Sequence, residues 1–385
     1  AKYDGKVAGS GSNYFISYQA QNTVLPALYW IKEQNKSAEL SILEKEFISG
    51  SDTLKAGSVL IKGISSAKAE ELAKKFELDL VRGNSATNAQ NMHSVSLPKI
   101  AIYHNWFYTQ DEGWSRYTFE QRGIPYTSID KDDLKAGDLN GKFDVILIPR
   151  SRGEVSDFIH GVDSRFGPMP YTKTAQYPHH GYPDSTEDMT GGPGFLGIEN
   201  LKKFIEAGGL VITLDNSTKM VAETGITRDL EPYTAQGLFH PGSVITVKAK
   251  NSNSPLLYGF PEVFSVFRGN GPLYKVDLAK RSQMVLQYGT KPLKDEEAYT
   301  GEIMGMENPN KKLDKKDSEG KPVPYVRSGM VRNEQTIIGQ GGIFNVPVGK
   351  GRVVAFTFDP LHRYLNHHDA PLVWNAIINW DHLGD

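Results

Sequence analysis

The chain has 385 residues, enough for more than one core, and 39% of them are apolar, which excludes a disordered tail. Its 43 basic and 45 acidic residues leave a formal charge of −2, so no electrostatic footprint for nucleic acid or an anionic membrane follows. Cysteine is absent, which excludes disulfides, thiolate metal sites, iron–sulfur clusters and a thiol nucleophile, and no run of roughly 18 apolar residues encodes a membrane span.

Residues 1–12 lack the charged-then-apolar pattern of a signal peptide and read as a mature or trimmed terminus. The first segment then reads as a small α/β unit. Residues 13–18 (NYFISY) are aromatic and β-branched, a strand pattern. Residues 21–34 place Val24, Leu25, Leu28, Trp30 and Ile31 at near-helical spacing, with Pro26 in the first turn. Residues 40–47 and 58–61 predict strands, and 67–76 (AKAEELAKKF) predict a helix with one apolar face. The Asn- and Ser-rich stretch 83–96 predicts a linker. A boundary near Leu97 divides the chain into units 1–97 and 98–385.

Beyond Pro98 strand and helix patterns alternate more strongly. Residues 99–104 (KIAIYH) predict a strand, 112–122 a helix stopped by Gly123, and 126–129 a short strand. The run 143–149 (FDVILIP) is apolar throughout, as in strands buried on both faces of a parallel sheet. A helix over 198–207 leads into the strand 210–214 (LVITL) and a helical 219–223. Residues 352–358 (RVVAFTF) return as a core strand, and 369–381 close as a helix. This succession predicts an open, doubly wound, mostly parallel α/β sheet. Two segments interrupt it: the Gly-, Pro-, Tyr- and His-rich loop 151–197, long enough for a lid or binding loop, and a β-rich insertion over about 242–342. Within that insertion 311–321 (KKLDKKDSEGK) reads as a solvated hairpin tip.

Few motifs carry chemistry. None of the ten histidines begins an HxxE or HExxH pattern, so no metal site is expected; His367, His368 and Asp369 are the weak candidates. Neither Gly9-Ser10-Gly11 nor Gly349-Lys350-Gly351 has the context of a phosphate loop. The strand 210–214 runs through Asp215-Asn216-Ser217-Thr218 into a helix, where some α/β enzymes hold a nucleophile. Asn216 or Ser217 would take the tight corner, and the plainer reading is a helix N-cap. Asp111 and Glu112 open a helix at the ligand-collecting edge of such a sheet, where they either perform acid–base work or complement the helix dipole.

The stretches 101–130 (AIYHNWFYTQDEGWSRYTFEQRGIPYTSID), 143–149, 190–218 (TGGPGFLGIENLKKFIEAGGLVITLDNST), 239–247 (FHPGSVITV) and 346–363 (VPVGKGRVVAFTFDPLHR) resemble the C-terminal half of large secreted bacterial zinc carboxypeptidase-like proteins. In that family a carboxypeptidase A-type domain precedes a region similar to class I glutamine amidotransferase folds, and 57–63 (GSVLIKG) resembles the piece joining the two. The resemblance implies a secreted or periplasmic location and a carboxypeptidase-like catalytic domain as partner. It places the zinc in that other domain, so no cofactor is expected in this chain. At the amidotransferase elbow this chain has Asp215-Asn216-Ser217 in place of cysteine. Asp359-Pro360-Leu361-His362 stands where His-Pro-Glu lies, so glutaminase chemistry is not expected.

The resulting expectation is a non-catalytic accessory region that packs on the catalytic domain or binds peptide or glycan. The alternatives are a hydrolase or transferase with Ser217 as nucleophile and His362 or His367 as base, and a free-standing sugar- or peptide-binding module. Asp111, Glu112, Asn216, Ser217 and His362 all follow predicted core strands and are expected to ring one depression, a vestigial site under the loop 151–197.

Overall fold

The computed structural model describes residues 3–49, 52–84, 91–291, 293 and 323–384; the expected hairpin tip at 311–321 lies outside them. Chain order begins β1 (Val7–Gly9), β2 (Asn13–Ile16), α1 (Val24–Gln34), β3 (Glu39–Leu43), β4 (Phe47–Ser49), β5 (Asp52–Leu54), β6 (Val59–Lys62), α2 (Ser66–Phe76), β7 (Leu80–Gly83) and β8 (Met92–Ser94). Six of these strands form a sheet in the order β1-β7-β2-β6-β3-β8, antiparallel except for β1 beside β7. The expected linker 83–96 is in part strand, because β8 pairs with β3 at the sheet edge.

The second series runs β9 (Ile100–Tyr103), α3 (Gln110–Arg122), β10 (Thr127–Ile129), α4 (Lys131–Ala136), α5 (Leu139–Lys142), β11 (Val145–Ile148), α6 (Val155–His160), α7 (Gly194–Glu206), β12 (Leu210–Leu214) and α8 (Thr218–Glu223). It continues through β13 (Glu231–Tyr233), β14 (Ser243–Ala249), β15 (Val263–Arg268), β16 (Leu273–Lys275), β17 (Met284–Tyr288), β18 (Val326–Gly329), β19 (Gly341–Val348), β20 (Gly351–Phe356) and α9 (Ala370–Ile378). A ten-stranded sheet takes the order β10-β9-β11-β12-β20-β19-β17-β14-β15, with β18 also paired to β14. Its first five strands are parallel neighbours. From β19 onward the pairings are antiparallel, so the strands of the β-rich stretch extend the same sheet.

Alternate residues of the parallel strands feed two cores. Ala101, Tyr103, Ile146, Ile148, Val211 and Val353 pack with Leu134, Phe158, Leu201, Phe204 and Val221 of the helices on one face. Their neighbours Ile100, Ile102, Val145, Leu147, Leu210 and Ile212 pack with Phe119 of α3 and with α9 on the other. Strands buried on both faces need continuous apolar runs, which is why 143–149 and 210–214 read as they do. The chain is thus a doubly wound α/β protein whose central strands are parallel.

The helix α9 reaches beyond this sheet. Trp374 is fully buried, packs edge-on to Phe119 at 5.1 Å and donates its indole N–H to Asn22 at 2.9 Å. Tyr18 donates to Asn375 at 2.6 Å, and the His93 ring lies 3.1 Å from Asn379 Oδ1. One apolar cluster therefore runs from the first sheet through α9 into the second. Among the described residues no helix is long and apolar enough to cross a membrane.

The loop 151–197 has more structure than its composition suggests. It opens with α6, whose N-cap Glu154 and Asp157 form a reciprocal capping box, and then folds on itself through bridges between Val162 and Thr190 and between Tyr171 and Thr186.

Candidate functional site

The strand order reverses between β9 and β11: from β9 the chain moves to β10 on one side and then to β11 on the other. Loops leaving such a switch point diverge and open a crevice at the carboxyl edge. Two clusters of buried charge occupy this edge, and both draw on the first turn of α3.

The first cluster gathers around Arg150, just after β11. Its Nη1 donates to Asp111 Oδ2 at 2.7 Å and its Nε to Asp215 Oδ2 at 2.6 Å, both carboxylates being 3% exposed. Tyr108 also donates to Asp111 at 3.1 Å. Burial works against the charge of Arg150, but Asp215 and Asp111 outweigh it and hold the guanidinium protonated. Asp215 occupies the corner after β12 with φ +50°, left-handed backbone that costs a non-glycine residue on the order of 1–3 kcal/mol. Its Oδ1 has no hydrogen-bond partner among the described residues and lies against Gly271, where a Cβ would collide with it. Arg268, fully buried, fixes this approach by donating to the carbonyls of Gly269 at 2.8 Å and Gly271 at 2.6 Å.

Asp359, at 6% exposure, completes the cluster after β20. Burial, then the Asp111 and Asp215 carboxylates, push its pKa up to about 8, even though the Leu361 N–H donates to it. His362 stacks on Phe267 at 4.8 Å and is held below its usual pKa by burial, with Arg363 and Arg150 contributing. The following Arg363 and Tyr364 both have positive φ. A cavity of about 280 Å³ opens here, lined by Asp215, Asp359 and His362 and rimmed by Arg152 and Arg363.

The second cluster lies on the other side of the Asp111–Glu112 turn. Glu112 Oε1 is 2.9 Å from Arg116 Nε, and Arg116 Nη1 donates to Asp184 at 2.5 Å. Ser128 donates to the same Asp184 oxygen at 2.7 Å. His104, directly after β9, brings Nδ1 to 3.2 Å from Asp184 and 3.5 Å from Glu112. Burial alone would lower the His104 pKa, but the Asp184 and Glu112 carboxylates raise it to about 9. Asp184, despite its own burial, is held below its ordinary range by His104, Ser128 and Arg116. Two acids thus face two bases.

This charged floor lies under a pocket of about 560 Å³ walled by Trp106, Tyr117, Tyr171, His180 and Tyr182. The rings brace one another: Trp106 on His104 at 4.2 Å, Tyr171 against Trp106 at 5.7 Å, and His180 stacked between Tyr171 and Tyr177 at 4.8 and 4.7 Å.

The expected single depression is therefore two. Asp111 and His362 meet in the first cluster, whereas Glu112 faces the aromatic pocket. Asn216 and Ser217 do not form the corner, which belongs to Asp215. Asn216 donates to the carbonyls of Ser151 and Gly153 at 3.2 and 3.0 Å, and Ser217 donates to the Pro149 carbonyl at 2.6 Å. Ser217 does precede α8, but its side chain makes no capping bond. The hydroxyl of Ser217 is committed to that backbone oxygen and not to an imidazole. His367 lies 3.0 Å from Arg122 while His368 pairs with Asp369 at 2.8 Å, so these three do not converge. Sequence reasoning missed Arg150 and His104, each at the end of a β-strand run that pointed to this edge. It also missed Asp184, which nothing in the composition of its loop distinguishes.

No protein-family model matches the chain, and no curated protein is similar enough to count as a match. Among solved structures, a ThuA-like protein from Bacteroides uniformis is 11% identical, with 74% of this chain and 94% of that one covered and a TM-score of 0.37. A glutamine amidotransferase from Thermotoga maritima is also 11% identical, with 73% and 86% covered and a TM-score of 0.33. At this level of likeness no residue of theirs is matched to one here, and the α/β class rests on the strand order itself.

Proposed function

We propose that the chain is a non-catalytic, glycan-binding accessory region of a secreted carboxypeptidase-like protein, with the aromatic pocket as its binding site. The observation that carries the reading is the pairing of aromatic walls from Trp106, Tyr117, Tyr171 and Tyr182 with a charged floor of buried His104, Glu112 and Arg116 and half-buried Asp184. A pyranose ring has an apolar C–H face and a rim of hydroxyls. Aromatic walls suit the first, and fixed carboxylates and guanidinium suit the second. The accessory role and the secreted setting rest on the sequence resemblance, and a Ser217 hydroxyl turned to backbone supports the non-catalytic reading.

The test is calorimetric titration of the chain with a panel of neutral oligosaccharides and, in parallel, of short peptides. Saturable binding of a sugar that weakens at least tenfold in Trp106→Ala is the expected result. Binding of peptides alone, or sugar binding indifferent to Trp106 and Tyr171, would exclude the glycan reading.

A further inference from the structure

The cavity beside the elbow collects ligand atoms that the protein leaves unpaired. Asp359 Oδ1 accepts from the Leu361 N–H, but its Oδ2 has no donor among the described residues, the nearest imidazole nitrogen, His362 Nδ1, standing at 3.9 Å. His362 is fixed by its stacking on Phe267, and neither ring nitrogen has a hydrogen-bond partner among the described residues. Among the described residues Asp111 accepts only at Oδ2, from Arg150 and Tyr108. One ligand atom from each of Asp111, Asp359 and His362 lies within 4.8 Å of the other two.

Charge separates this trio from the neighbouring one. Glu112 and Asp184 face both Arg116 and His104, so that group is balanced as it stands. Here Asp111, Asp215 and Asp359 are buried around Arg150, which pairs with the first two; the buried Arg268 donates to the Gly269 and Gly271 carbonyls instead, and Arg152 and Arg363 sit exposed at the rim. Buried carboxylates are stable when paired or when they coordinate a cation.

We propose that Asp111, Asp359 and His362 bind one divalent transition-metal ion of the zinc or manganese class in this cavity. One imidazole with two carboxylates suits such ions better than the all-oxygen cages of magnesium or calcium. Bonds of about 2.0–2.2 Å would hold ligand atoms roughly 3–4 Å apart, so the trio closes by on the order of 1 Å on loading. Three protein ligands leave a position open to the cavity, where Arg152 and Arg363 face any anion that joins the ion. The ligands come from two distant segments, Asp111 in the first turn of α3 and the Asp359–His362 turn after β20, which no local spacing motif links. The site is independent of the aromatic pocket and of what binds there.

The chain is stripped with a chelator and titrated calorimetrically with Zn²⁺ and with Mn²⁺. One site per chain is expected, with thermal unfolding shifted upward by the metal. Asp359→Asn and His362→Ala should each weaken binding at least tenfold while unfolding in chelator as cooperatively as the parent chain. Anomalous diffraction from loaded crystals locates the ion without any variant, so a variant that misfolds does not obscure the answer. The proposal is overturned by no saturable binding of either ion below about 1 mM, by an ion located elsewhere, or by unchanged binding in the folded double variant.

Discussion

Asp111 and Glu112 are consecutive residues in one helical turn, yet they end in two sites with opposite electrostatic character. Glu112 joins a floor in which two acids meet two bases, and the imidazole there is held protonated. Asp111 is one of three carboxylates around Arg150, and one of those acids, Asp359, is held protonated instead. Burial is similar in both, so burial does not decide the outcome. What decides it is the count of opposite charges within reach. The balanced floor is a rigid polar surface ready for a neutral ligand, whereas the unbalanced one retains a demand for positive charge.

Removing one guanidinium from each site gives the largest expected contrast. In Arg150→Met, Asp111 and Asp215 remain buried with no cation on them, and a loss of about 3–5 kcal/mol in denaturant unfolding is expected. In Arg116→Met the same loss should be smaller, about 2 kcal/mol, because His104 still faces both acids. Equal losses would show that the charge count is not the controlling difference.

The dependence on pH sharpens the contrast. His104 binds a proton in the folded chain up to about pH 9, while the unfolded chain releases it near the ordinary histidine value of 6.5. Between those values the folded state holds the extra proton, so stability falls with rising pH, by about 3 kcal/mol in all. Asp359 acts with the same sign in a lower window, from its unfolded value of 3.8 to about 8, because the folded state again holds the proton longer. With metal removed by chelator, His104→Gln should flatten the stability profile between pH 7 and 9, and Asp359→Asn between pH 4 and 7. Denaturation midpoints measured across pH check both, and a single window abolished by both substitutions would merge the two sites into one.

The smallest effect belongs to Ser217, the nucleophile only of the alternative sequence reading. Ser217→Ala removes one hydrogen bond to the Pro149 carbonyl and should cost about 1 kcal/mol. Sugar and metal titrations of this variant should match those of the parent chain. A loss of either would bring Ser217 into a site.

The sheet was legible because its strands are buried on both faces. Runs such as 143–149 and 210–214 have no polar alternation to confuse with a surface strand, and glycines mark the ends of the intervening helices. The elbow was legible as a strand–turn–helix junction, but not which residue turns: Asp and Asn both tolerate left-handed backbone, and the structure assigns it to Asp215. The edge on which the sites lie followed from strand direction. The division of Asp111 from Glu112 did not, since it depends on helix rotation and on Arg150 and Arg116 arriving from different elements. Asp184 was hidden because its contacts with Arg116 and Ser128 come from an irregular loop with no period to read.

The docking of α9 has a consequence for how the protein is made. Tyr18 and Asn375, joined by a hydrogen bond, are 357 positions apart in the chain. Contacts of that span are slow to form, because a long loop must close before they contribute anything. During synthesis the first sheet emerges early, with the apolar surface that Trp374 and its neighbours will cover still open to solvent. Its core cannot be completed until residues 370–378 have left the ribosome, so the first sheet must wait for α9.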